Sequence, residues 1–179
     1  IEYKGTAYAS VEKYLVTQQN INSVSDLKTV RSGNGLVKVT KIEVLDENGD
    51  LIDQVCSGQD FQVKFHFKSE KHLRGINLIP SLSISTKMDV QVALHHSRLT
   101  GQFFKEIANE GAFILSIKNL PLVPAVYNLS FSLIDRGVVY DGINNVMELC
   151  VIDGDFYGNG EVPPSSHAIL LLKGEWSII

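Results

Sequence analysis

Three strand-like segments carry polar side chains at every second position, and these residues are the best suited to holding a ligand. In each segment the intervening residues are apolar, which predicts one buried face and one outward face. The outward positions carry Gln62, Lys64 and His66; Ser81, Ser83 and Ser85; and Asn128, Ser130 and Ser132. We expect the three strands to present this polar set on one face.

Serine is the unusual component of this face. Ordinary solvent-exposed sheet faces carry long Lys, Glu, Arg and Thr side chains, whereas serines leave space and offer hydroxyl groups. The face therefore suits a groove for a hydroxyl-rich ligand, with His66 and Lys64 as the stronger donors. The alternative, that these serines only tolerate solvent, is equally compatible with the composition. An aromatic platform would come from Phe103, Phe104, Tyr140 or Tyr157.

Motifs for covalent and phosphoryl chemistry are missing from the sequence. No G-x-x-x-x-G-K-[ST], G-x-S-x-G, H-E-x-x-H or C-x-x-C occurs, so no catalysis is predicted for this chain. A small glycosidase would need two carboxyl groups at a defined separation. Its candidates flank Gly or Arg in turns, where solvated carboxylates are expected: Asp135, Asp141, Asp153, Asp155 and Glu161.

No metal or cofactor is predicted. His95 and His96 are adjacent in a strand-like run, so their side chains point to opposite faces and do not readily share a metal. The segment from Asp46 to Asp50 has calcium-like residue types. It lacks the glycine at position six and the glutamate at position twelve of a calcium loop. We interpret it as a solvated hairpin tip.

The bulk composition is that of a globular domain. The chain has 179 residues, 44% of them hydrophobic, and a net charge of −4, which disfavours nucleic acid and anionic membrane as partners. No apolar run approaches the roughly 18–20 residues of a membrane span, and no signal peptide is present. Because the chain begins at Ile1, we expect it to be a piece of a longer protein. Cys56 and Cys150 are predicted to be reduced core residues.

The elements that must position these residues are short strands. From residue 36 onwards apolar residues recur with a period of two between turn residues, which predicts an all-β, antiparallel β-sandwich. Asn48-Gly49 predicts a hairpin turn. Residues 6–19 predict a short helix, followed by a linker to about residue 30. The predicted strands are 36–46, 51–56, 61–68, 78–86, 90–97, 112–118, 127–135, 146–153 and 168–176.

Four segments, in order and spacing, carry a family resemblance over roughly residues 30–176. They are Gly33-Asn34-Gly35 with the run 39–49, the run 57–63, the run from Leu120-Pro121-Leu122 to Asp135, and Gly174-Glu175-Trp176. Together they resemble the C-terminal domain of the Wzt-type ATPase subunit of bacterial O-antigen ABC exporters. Residues 11–16 are similar to the tail that leaves the ATPase domain in such proteins.

The resemblance implies an immunoglobulin-like sandwich, residues 31–179, preceded by a helix and linker, residues 1–30, that follow an ATPase domain. It implies non-catalytic binding of the non-reducing end of O-polysaccharide, often through a capping modification. The implied partners are the polysaccharide, the ATPase domain and membrane subunit of the exporter, and a second copy that exchanges the last strand, about 168–176. The implied location is cytoplasmic, at the inner face of the inner membrane.

Two departures and one alternative accompany this resemblance. Ala125-Val126 replaces the usual glycine before Tyr127, and the segments 71–77 and 100–110 match nothing in the family. An apolar C-terminal strand, 169–172, would also suit a protein–protein interaction or dimerisation sandwich that binds no glycan.

Overall fold

The structure is a computed structural model that describes residues 31–166 and 168–178. The predicted N-terminal helix and linker lie outside the described residues. Ten strands and one short 3-10 turn, Ser97–Thr100, are present in the described part. The strands are β1 Arg31–Ser32, β2 Val37–Asp46, β3 Gln54–Cys56, β4 Phe61–Ser69, β5 Leu73–Thr86, β6 Gln91–His96, β7 Phe104–Ile107, β8 Glu110–Ile117, β9 Ala125–Asp135 and β10 Val138–Ile152.

The strands form two sheets. The larger has the order β1-β10-β9-β5-β6, with β3 paired to β10 and β7 paired to β5, and the smaller has the order β2-β4-β8. All pairings are antiparallel except that of β3 with β10. The predicted all-β sandwich is therefore confirmed.

The core lies between the sheets because alternate residues of the facing strands are apolar. The inward residues of β4 are Phe61, Val63, Phe65 and Phe67, and all four are buried. Those of β9 are Tyr127, Leu129, Phe131 and Leu133, which are also buried. The rings of Phe65 and Phe131 meet across the sheets with centroids 5.9 Å apart. The faces predicted from alternation are thus correct for each strand taken alone.

A buried tyrosine fixes the segment that leads into β9. The Tyr127 hydroxyl donates to the Val123 carbonyl, four residues upstream, at 2.9 Å, as in the tyrosine corner of immunoglobulin-like domains. Burial raises the pKa of Tyr127 to about 12, so the hydroxyl stays protonated and keeps this bond. The bond forms although Ala125-Val126 stands where the family has a glycine.

One side of the sandwich is held by an ion pair between a buried carboxylate and a partly exposed arginine. Asp141 of β10 is only 1% exposed and binds the Arg31 guanidinium at 2.5 and 2.6 Å. It also accepts the Val39 N–H at 2.7 Å, while Arg31 donates to the Val39 carbonyl at 2.6 Å. Because Val39 belongs to the smaller sheet, this cluster joins the two sheets along their β2 and β10 side.

Two predicted strands differ from the structure. The Asn48-Gly49 turn forms, with Gly49 at φ +92°, but the chain leaves the hairpin after one bridge, Leu45 to Leu51, and β3 joins β10 instead. Residues 168–178 make a single bridge, Leu122 to Leu170, and join neither sheet. Exchange of this segment between copies stays a prediction.

We predict that Arg31→Ala lowers the free energy of unfolding by about 3 kcal/mol, because it leaves the Asp141 carboxylate buried without its counter-ion. Urea unfolding followed by circular dichroism measures the change. Arg74→Ala is the matched control, since Arg74 and its partner Glu106 are both exposed, and such pairs contribute little. Equal losses in the two variants would contradict a special role for the buried pair.

Candidate functional site

The nine predicted site residues lie on two opposite faces of the sandwich. β5 and β9 are neighbours in the larger sheet, and their registers place Ser81 opposite Ser132, Ser83 opposite Ser130 and Ser85 opposite Asn128. β4 belongs to the smaller sheet, so Gln62, Lys64 and His66 face outwards on the other side of the molecule. The prediction that all three strands share one face is wrong, because alternation reports a strand's buried side and not its sheet.

The outer face of the smaller sheet is charged and internally paired. Glu43 lies 2.5 Å from both Lys41 and His66. The hydrogen bond from Lys41, followed by that from His66, holds the pKa of Glu43 below its usual value despite partial burial. Two donors of this face, Lys41 and His66, are therefore engaged with a carboxylate, as on an ordinary solvated sheet.

The outer face of the larger sheet has a floor of small hydroxyl side chains, which we call the serine floor: Ser81, Ser83, Ser130 and Ser132. The hydroxyls of Ser81 and Ser132 are 2.7 Å apart. Gly142 of β10 continues the row next to Ser132, and a Cβ there would lie 2.9 Å from Ser32 Oγ. The floor is therefore free of long side chains from β5 to β1.

The turn between β5 and β6 folds over one end of this floor and contacts β10. Lys87 Nζ donates to Asn128 Oδ1 at 3.1 Å and forms an ion pair with Glu148. Asp89 Oδ1 accepts from Asn145 Nδ2 at 3.1 Å. We call these four residues, Lys87, Asp89, Asn145 and Glu148, the clasp. Under it Asn128 is only 9% exposed.

The clasp depends on two residues in the left-handed region. Asp89 has φ +58° and Asn145 has φ +50°, a conformation that Asp and Asn adopt more readily than other residues with side chains. Asn145 lies in a bulge of β10, between Ile143 and Met147. There its backbone N–H donates to Ser130 Oγ at 2.8 Å, which ties the clasp to the floor.

β6 supplies the remaining border of the floor. His96 lies opposite Ser81 and Leu94 opposite Ser83, so both share the outer face, and Leu94 is 53% exposed. Burial, helped by nearby Arg98 and His95, lowers the pKa of His96. Its ring is therefore neutral at pH 7, and its Nδ1 has no hydrogen-bond partner among the residues that the structure describes.

Most of the aromatic residues predicted as platforms pack against other side chains and not beside the floor. Phe104 packs edge-on against Phe113 of β8, with centroids 5.0 Å apart, and Tyr157 packs edge-on against Phe156 at the same distance. Leu94 is the apolar residue beside the floor, and the sequence analysis missed it. The signal that could have found it is the alternation in β6, taken together with the pairing of β6 to β5.

Two of the late carboxylates, Asp141 and Asp155, have structural partners. The prediction that all five are solvated turn residues is wrong for Asp135 and Asp141, which are buried. Asp141 belongs to the ion pair between the sheets. Asp155 accepts the backbone N–H groups of Gly158, Asn159 and Gly160 at 2.7–3.0 Å, and these bonds lower its pKa. In residues 31–166 and 168–178 no three His, Cys, Asp or Glu side chains form a group able to hold a metal ion.

Comparisons with known proteins agree with this architecture. The fold places the chain among β-sandwich domains, and it is similar to a solved crystal structure of the C-terminal domain of Wzt. That match has a TM-score of 0.69 and 15% identity, and covers 85% of this chain and 89% of the other. The sequence matches the model of the Wzt C-terminal domain over residues 28–162, which is more than half of the chain. The chain therefore belongs to the Wzt C-terminal domain family.

This is a family of non-catalytic binding domains, and membership agrees with a carbohydrate-binding role in O-antigen export. A Niemann-Pick type C2 protein from Japanese carpenter ant also overlaps, with a TM-score of 0.49 and 8% identity, over 70% of this chain and 100% of the other. That overlap is too loose to support an argument. A search of curated proteins finds no match. No helix of the described residues is long and apolar enough to cross a membrane.

We predict that the His96 ring titrates below the ordinary value of about 6.5. Because the folded-state pKa is lowered, folding favours the neutral ring. The resulting stability is present above about pH 6.5 and is lost as the pH falls through the folded pKa. Carbon-13 NMR of labelled histidine measures the titration, and His96→Gln should weaken the acid-side loss of stability. A midpoint at or above 6.5 would contradict the burial of this ring.

Proposed function

We propose that this chain binds O-polysaccharide, without catalysis, on the outer face of its larger sheet. The observation that carries the proposal is the serine floor, because it offers hydroxyl groups over several strands without long side chains to obstruct a sugar ring. Leu94 gives the floor an apolar border, and saccharide sites combine such a surface with hydrogen bonds to hydroxyl groups. The six residues predicted on this face from the sequence remain the proposed site: Ser81, Ser83, Ser130 and Ser132 of the floor, with Ser85 and Asn128 at the end next to the clasp.

His96 suits this ligand because its ring is neutral. A neutral imidazole has one donor and one acceptor nitrogen, so it can exchange hydrogen bonds with an uncharged hydroxyl group. Its Nδ1 lacks a partner in the described structure, which leaves that bond to a ligand after a small movement of the ring.

The clasp favours binding of a chain end. An open sheet face would accept an internal segment of a polymer, with sugar units leaving at both ends. Here the contacts of Lys87 with Glu148 and of Asp89 with Asn145 cross the face beside Ser130. A polysaccharide that lies along the strands of the floor therefore ends against the clasp. This geometry supports the proposal that the non-reducing end, with its capping group, is the part recognised.

The family supports the wider role. We propose that the domain recruits finished O-polysaccharide to an ABC exporter, through an ATPase domain and membrane subunit in the parent protein. The location would be the cytoplasmic face of the inner membrane.

Ser83→Arg should weaken binding of the source strain's O-polysaccharide by at least about ten-fold, because a long charged side chain would fill the centre of the floor and remove a hydrogen bond. Isothermal titration calorimetry measures the affinity. Gln62→Arg is the matched control, since Gln62 lies on the outer face of the smaller sheet, and it should bind like the wild type.

The two variants distinguish the faces. Loss of binding in Gln62→Arg with retention in Ser83→Arg would move the site to the smaller sheet. Retention in both variants would reject both faces. Uncapped polysaccharide, titrated in parallel, tests recognition of the chain end: binding equal to that of the capped polymer would rule out a contribution of the capping group.

A dimer is the second proposal, and the C-terminal segment favours it. Leu171 packs with Val123 and Phe156 in a small separate core. Beyond it Leu172, Trp176 and Ile178 are largely or fully exposed. Exposed apolar side chains on an extended segment suit pairing with a second copy, and exchange of an identical segment is a low-cost route to a dimer.

Light scattering tests this proposal. The full chain should have the mass of a dimer, and a chain lacking residues 174–179 should shift towards the monomer while retaining Leu171. Removal of residues 158–179 should abolish the dimer. A monomeric full chain would rule out strand exchange.

A further inference from the structure

An apolar groove runs between the two sheets on the side opposite the buried ion pair. β6 is the last strand of the larger sheet and β8 the last strand of the smaller one, so neither has a neighbour on this side within the described residues. It has a wide part of about 280 Å³ and a narrow part of about 40 Å³, which share Leu82, His95 and Leu115. Its walls are mostly apolar, with Leu82, Ile84, Ala93, Leu115, Ile117 and Leu122 among them.

This groove borders the serine floor, because Ser81 and Leu94 lie at its rim. Its walls come from the inward positions, since consecutive residues of a strand point to opposite faces: in β6 His96 pairs with the floor, whereas Ala93 and His95 line the groove. The strand β6 therefore stands between two different surfaces. What binds in the groove goes beyond the carbohydrate binding proposed above.

The narrow part of the groove contains an unsatisfied polar group. Ser97 lines the narrow part beside Phe104 and Phe113 and is only 3% exposed. Its hydroxyl oxygen has no hydrogen-bond partner in the described structure. A buried hydroxyl without a partner costs about 1–3 kcal/mol, so a ligand that reached it with one polar group would gain that hydrogen bond.

The charges at the groove favour an uncharged ligand. In the described part of the chain the only Lys or Arg that lines it is Lys118. Its Nζ already lies 2.8 Å from Asp60 Oδ2, and this partner raises the pKa of Lys118 and lowers that of Asp60. A carboxylate or phosphate in the groove would therefore lose its hydration without gaining an unpaired cation.

The dimensions favour a single chain. An apolar cavity of roughly 150 Å³ binds benzene, so the wide part has room for about ten carbon atoms on that scale. The wall of β8 from Phe113 to Ile117 spans five residues, and the four steps between them cover about 13 Å at the strand repeat of roughly 3.3 Å. We propose that this groove binds an unbranched aliphatic chain of about ten carbons that ends in one uncharged polar group, with Ser97 as its hydrogen-bond partner.

The probe for this proposal is 1-octanol, titrated into the full chain and followed by methyl NMR. Saturable shifts of Leu82, Leu115 and Ile117 are expected, and octanoate should bind at least about ten-fold more weakly because its charge has no partner. Ser97→Ala should weaken 1-octanol binding by about three- to ten-fold, as expected for one hydrogen bond.

Two tryptophan variants provide the matched pair. Ala93→Trp fills the groove from its wall and should abolish the shifts of Leu115 and Ile117. Ala112→Trp makes the same change on the outer face of β8 and should leave them intact. Both variants should retain binding to O-polysaccharide, so the result is independent of the carbohydrate proposal.

Several outcomes would overturn the proposal. These are the absence of saturation, equal shifts in the two tryptophan variants, an unchanged affinity in Ser97→Ala, or octanoate binding as tightly as 1-octanol. If the same methyl signals shift with protein concentration alone, a second copy of the chain occupies the groove, and the assignment of the groove to an aliphatic ligand is wrong.

Discussion

The carboxylate of Asp141 is the constraint on which the rest of the arrangement depends. Removing a charge from water costs several kcal/mol, and Arg31 together with the Val39 N–H offsets that cost. Because these partners come from β1 and β2, the carboxylate links β10 to its neighbour β1 in the larger sheet and to β2 in the smaller sheet. β10 in turn carries Gly142 and Asn145, which continue the serine floor and form its clasp. The geometry of the serine floor and its clasp therefore depends on an ion pair at the edge of the core.

The two proposed binding surfaces differ in chemistry because they lie on different sides of the same sheet. The outer face is solvated, so it accommodates hydroxyl groups, and a sugar can exchange hydrogen bonds there with little loss of hydration. The inner side faces the core, so its groove is apolar and carries one buried hydroxyl. β6 borders both of them. Its neighbouring residues His95 and His96 therefore have unlike surroundings, although they are chemically identical.

Local patterns predicted the faces of the strands but not their assembly. The period of two correctly assigned the buried sides of β4 and β9, since that period is a property of the strand itself. It could not show that β4 belongs to the smaller sheet, because pairing partners are distant in sequence, and so Lys64 and His66 were placed beside serines that lie across the core. The sequence also did not predict Gly142, which continues the floor, or the clasp, because Asn145 lies in a bulge of β10 that has no distinct signal in the sequence.

The asymmetry of the sandwich has a consequence for its motion. Its two sheets are joined on one side by the ion pair of Arg31 and Asp141, whereas their edge strands β6 and β8 lie on the other side. Fluctuations that separate the sheets have their largest amplitude at β6 and β8 and their smallest at the ion pair. Amide hydrogens of β6 and β8 should therefore exchange with solvent before those of β10. A ligand of the groove would enter between β6 and β8 without unfolding of the domain.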